Sequence, residues 1–70
     1  MLTKDQKIDR LSALAEREWV EGSERMGAAI DEAITWLASG YAGEAAMSLE
    51  SITDKRLRDS AKDILDGIED

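Results

Sequence analysis

The chain has 70 residues, a formal charge of −7, and no Cys, His or Pro, which excludes disulfides, thiolate chemistry and nearly every zinc, haem or iron–sulfur site. Its length allows one domain, residues 1–70, burying only about 60% of the surface its unfolded chain would expose; unusually good helix packing or self-association must make up the difference. Excess carboxylates disfavour contact with phosphate backbones and anionic membrane surfaces, no apolar run is long enough to cross a bilayer, and the first residues (MLTKDQKIDR) are too polar for a signal peptide, so the expected location is the cytoplasm of a bacterium or of something that infects one.

Ala, Leu, Ile, Glu, Asp, Lys and Arg dominate and Phe is absent, a composition that favours helices over sheet. The first helix starts at Thr3, where Thr3-Lys4-Asp5-Gln6 fits a capping box, with Asp5 in the first turn at the positive end of the dipole. Ile8, Leu11, Ala15 and Trp19 then recur at helical spacing, with Leu14 beside them. Glu21-Gly22-Ser23 is the expected break, Gly22 loosening the backbone and Ser23 capping the next helix.

The second helix reads from Ser23 to Ser39. Met26, Ala29, Ile30, Ala33 and Leu37 form its central stripe, Ile34 and Trp36 flank that stripe on opposite sides, and Gly40 is the natural residue just past its end. Tyr41-Ala42-Gly43 reads as a short connection and Glu44–Ser51 as a third helix with Ala45, Ala46 and Leu49 apolar and Ile52 next to it. Thr53 or Asp54 caps a last helix whose Leu57, Ala61, Ile64, Leu65 and Ile68 give the cleanest amphipathic pattern in the chain, and Glu69 and Asp70 should fray at its negative dipole end. Short loops favour antiparallel neighbours. The expected fold is all-α: a small bundle of three to four antiparallel helices, completed by homodimerisation.

Trp36, Leu37, Gly40 and Tyr41, then Gly43-Glu44-Ala45, Leu49, Leu57 and Ala61, make the stretch from Ala33 to Leu65 resemble a tetratricopeptide-type helical hairpin. The resemblance covers about half of the chain and a single repeat, without the closing proline of that family. It implies helix-hairpin packing and a binding role, with no particular partner.

Two features bear on function. Residues 22–53 carry Glu24, Asp31, Glu32, Glu44 and Glu50 against Arg25 alone, whereas the flanking segments are nearly balanced. Such a region either keeps a small protein soluble or steers it to a basic surface. Either Trp19 and Trp36 plug the core, or Trp36, Tyr41 and Met47 form an exposed anchor for a partner. Catalysis is not expected: Asp31 and Glu32 point about 100° apart, no nucleophile or phosphate loop accompanies them, and Asp63 and Asp66 lie beside Lys62 without a calcium-loop pattern. A helix-turn-helix around Gly40 lacks cations in its second helix.

Elimination leaves a non-enzymatic, cofactor-free module that binds a larger protein and modulates it, in the direction of inhibition. Ile34, Trp36 and Tyr41 are the expected anchor, and Glu24, Asp31, Glu32 and Glu44 the expected steering charges. The alternatives are an acidic phage-type inhibitor (anti-defence or anti-CRISPR-like) that blocks the basic site of a nucleic-acid-binding protein by standing in for phosphates, and a structural homo-oligomer. No direct nucleic-acid or membrane contact is expected; a homodimer is.

Overall fold

A computed structural model describes residues 1–68; Glu69 and Asp70, and with them the fraying expected there, lie outside the described residues. The described chain is all-helical, with α1 (Lys4–Glu21), α2 (Glu24–Ala38), α3 (Ala42–Glu50) and α4 (Lys55–Leu65). No helix is long and apolar enough to cross a membrane.

The helix starts depend on side-chain caps. The Thr3 hydroxyl accepts the Gln6 amide at 3.2 Å while the Gln6 carboxamide accepts the Thr3 amide at 2.9 Å, completing the capping box. Ser23 caps α2 through the Met26 amide, so the chain does break at Gly22-Ser23, and Asp54 caps α4 through the Leu57 amide at 3.0 Å. α3 begins earlier than its sequence suggests. Ala42 and Gly43 belong to its first turn and Tyr41 is its N-cap, without a side-chain bond.

Two helix ends share one solution. At Gly40, with φ +90°, the Gly40 amide bonds Leu37 O and the Tyr41 amide bonds Trp36 O; at Gly67, with φ +82°, the Gly67 amide bonds Ile64 O and the Ile68 amide bonds Asp63 O. These are Schellman turns, whose left-handed residue is nearly always glycine. The second turn stops α4 at Leu65 and takes Ile68 out of the helical stripe in which its spacing places it.

The helices form a ring, α1 packing on α2, α2 on α3, α3 on α4 and α4 back on α1. The Leu2 amide donates to Gly67 O at 3.2 Å and closes the α1–α4 seam, with Leu2 itself buried. Inside lie Leu11, Ile30, Leu37, Leu49, Leu57 and Leu65, with one alanine buried on each helix: Ala15, Ala33, Ala45 and Ala61. Ile52 fills the floor from the α3–α4 loop, where Arg58 donates to its carbonyl at 3.0 Å. No polar side chain among the described residues is buried. Lys62 on α4 donates to the Glu50 carboxylate on α3, and the contact holds the Glu50 carboxyl below its ordinary range and the Lys62 ammonium above it.

Ile30 is fully buried and faces the ring centre. Ile30→Ala is expected to cost about 2–5 kcal/mol, a large part of what a domain of this size has available. Urea unfolding monitored by circular dichroism measures it; a loss under about 1 kcal/mol contradicts the assigned core.

Candidate functional site

Each helix buries one alanine at the centre, a small residue that lets helices approach closely and leaves little room for an indole. Both tryptophans therefore lie at the margins of the ring, in different surroundings.

Trp19, near the end of α1, is 46% exposed, so it caps the core instead of filling it. Its indole lies over Gly27 of α2: a Cβ built on Gly27 would sit 3.0 Å from the indole Cδ1 and Nε1. The Nε1–H donates to Asp31 at 2.8 Å. Asp31 is one helical turn beyond Gly27, so both lie on the side of α2 that meets α1. Trp19, Gly27 and Asp31 thus form a latch across the α1–α2 hairpin. Asp31 carries its charge at this latch, on the side of α2 away from the lining that Trp36 shares with α3.

Trp36 lies on the opposite side, toward α3. It is half-buried against the core, and its ring meets that of Tyr41 edge-on, with centroids 5.7 Å apart and planes at 85°. The contact has a local cause. Trp36 and Tyr41 are the two residues joined by the hydrogen bond of wider sequence span in the Gly40 Schellman turn, and that turn commonly brings the side chains at these positions together. The Gly40 turn therefore both ends α2 and lays a tyrosine against a tryptophan.

Beside this pair a groove runs between α2 and α3, lined by Glu32, Trp36, Glu44, Met47, Ser48 and Ser51. Met47 is 67% exposed and Tyr41 57% exposed. No Lys or Arg is among the lining residues. Among the expected site residues, the structure brings Trp36, Tyr41, Glu32 and Glu44 together. It separates Ile34, which is two positions and so about 200° around α2 from Trp36. Ile34 is a heptad from Gly27, on the side facing α1, where it packs partly buried against the core. Glu24, a heptad before Asp31, lies on that same side, away from the groove. Gly27 carries no signal in the apolar stripe, although a glycine eight residues after a tryptophan, across a capped break, is the small site an indole needs.

Among the described residues no three carboxylates come together as a cation site. The groove offers aromatic, thioether and hydroxyl surface beneath two carboxylates, a combination suited to binding by contact. No protein-family model, curated protein or solved structure matches the chain.

The Trp19 latch makes a test of its own. Gly27→Leu is expected to lift the indole off α2, to break its bond to Asp31 and to destabilise the hairpin by about 1–3 kcal/mol. Of the two indole N–H signals in an amide-correlation spectrum, the Trp19 signal should shift and exchange faster while the Trp36 signal holds. An unmoved Trp19 signal means that the latch is misassigned.

Proposed function

We propose that this chain is a non-catalytic docking protein that modulates a larger protein, by inhibition, through the groove between α2 and α3. The observation that carries the reading is the exposed surface of Tyr41 and Met47 beside the half-buried Trp36, with Glu32 and Glu44 but no Lys or Arg among the residues lining the groove. Aromatic and methionine side chains are enriched where interfaces are strongest, and Met47 adapts its shape to an irregular partner. Like-signed carboxylates around an apolar floor favour a basic partner surface, such as that of a nucleic-acid-binding protein, and raise the rate of encounter with it.

The Trp36–Tyr41 contact also caps a helix, so truncating either residue alone confuses folding with binding. Met47 and Glu32 carry no such structural duty; Glu44 lies in the first turn of α3, where the helix dipole favours a carboxylate, so circular dichroism checks that its variant folds. In affinity purification from the native host, wild-type chain is expected to retain a protein with a basic face. Glu32→Lys with Glu44→Lys should release it, and Met47→Ala should weaken retention about tenfold, the scale of a modest hot spot of roughly 1–2 kcal/mol. If the same proteins remain with every variant, the groove is not the docking surface. A phosphate mimic acting through charge alone would lose its partner steeply as salt rises, whereas docking on an apolar floor persists as the carboxylates are screened.

A further inference from the structure

The side of the ring opposite the α2–α3 groove is the α1–α4 seam, and its surface is of another kind. A second groove runs along it, floored by Leu14, Ile64 and Ile68 and lined also by Arg10, Ser60 and Asp63. Ile68, set outside α4 by the Gly67 turn, is 51% exposed. Arg10 and Asp63 line this groove together, yet neither makes an ion pair or a side-chain hydrogen bond with another described residue.

We infer that this α1–α4 face is the seat of a second copy of the chain, related by a two-fold axis running along the groove. The Leu2–Gly67 bond places the start of α1 beside the end of α4, so the two helices run antiparallel and Arg10 and Asp63 lie at a similar height. A two-fold axis along the groove lays α1 of each copy over α4 of the other. Arg10 of one copy then faces Asp63 of its partner, twice, and the Leu14, Ile64 and Ile68 surfaces meet between the two pairs. A two-fold contact has to be self-complementary in this way. The four helices around the axis form an antiparallel four-helix bundle.

Charge and area point to the same face. Two copies meeting across the α2–α3 groove would set Glu32 and Glu44 against their own duplicates with no cation between them. The α1 and α4 segments hold eight of the nine cations of the chain, in Lys4, Lys7, Arg10, Arg17, Lys55, Arg56, Arg58 and Lys62. A standard interface takes about 800 Å² from each partner; against a total surface of 4545 Å², one side of a four-helix ring is of that order. Joined back to back, the two copies leave both acidic grooves open and facing away from each other.

Charge exchange tests the pairing. Sedimentation equilibrium of the whole chain at about 0.15 M salt is expected to show a dimer. Arg10→Glu alone and Asp63→Arg alone should each weaken it at least tenfold, and the double variant should restore it. Both positions are exposed, and circular dichroism checks that each variant folds; Ile68→Ser gives a charge-neutral variant with the same expected loss. A wild-type chain that sediments as a 7.7 kDa monomer throughout overturns the inference. So do single exchanges that leave the dimer intact, or a double exchange that fails to restore it.

Discussion

Four buried alanines govern this molecule. Ala15, Ala33, Ala45 and Ala61 stand on α1, α2, α3 and α4, each almost without solvent contact. Where two helices meet over alanine, their axes approach to the lower end of the usual 8–10 Å. The interior is accordingly thin, filled by leucine and isoleucine and free of buried polar side chains among the described residues. A close-packed interior of this kind accepts no bulky ring without displacing a helix. The aromatic residues stand at the margins, Trp19 and Tyr41 exposed and Trp36 half-buried against the core.

Each displaced ring is held by a different local device. Trp19 uses a missing side chain and a carboxylate on the neighbouring helix. Trp36 uses the turn that ends its own helix. The same turn recurs at Gly67, where it projects Ile68 over the α1–α4 groove. Two Schellman turns thus shape the two grooves on opposite sides of the ring, one acidic and aromatic, the other aliphatic and lined by one cation and one carboxylate, Arg10 and Asp63. Backbone geometry demanded by helix termination has been used to place exposed apolar side chains.

Much of this is legible in the residues. Thr3, Ser23 and Asp54 announce three helix starts, because a cap is a local arrangement between one side chain and one or two amides. The apolar stripes give the core for the same kind of reason, since helical spacing fixes which residues share a face. What escapes a linear reading depends on how helices meet. Ile34 and Trp36 flank one stripe and so suggest one anchor, yet flanking positions face different neighbours once α1 and α3 are in place. Asp31 has the look of free charge until an indole from another helix reaches it. Ile68 fits the period of α4, but the glycine before it adopts positive φ and ends the periodicity. Leu2 lies before any helix and has no pattern to declare it, yet its side chain is buried and its amide bonds Gly67 O.

The bond between Leu2 and Gly67 also has a topological consequence. The backbone at Gly67 lies within a hydrogen bond's length of that at Leu2, so residues 2–67 form a nearly closed loop. A short linker from Gly67 to Leu2 would close residues 2–67 into a ring without pulling on any helix. New ends could then be cut at Gly22, an exposed position between two helices that each carry their own N-terminal cap. The order of the helices along the gene is in this sense a convention: it is their neighbour relations around the ring that the packing specifies.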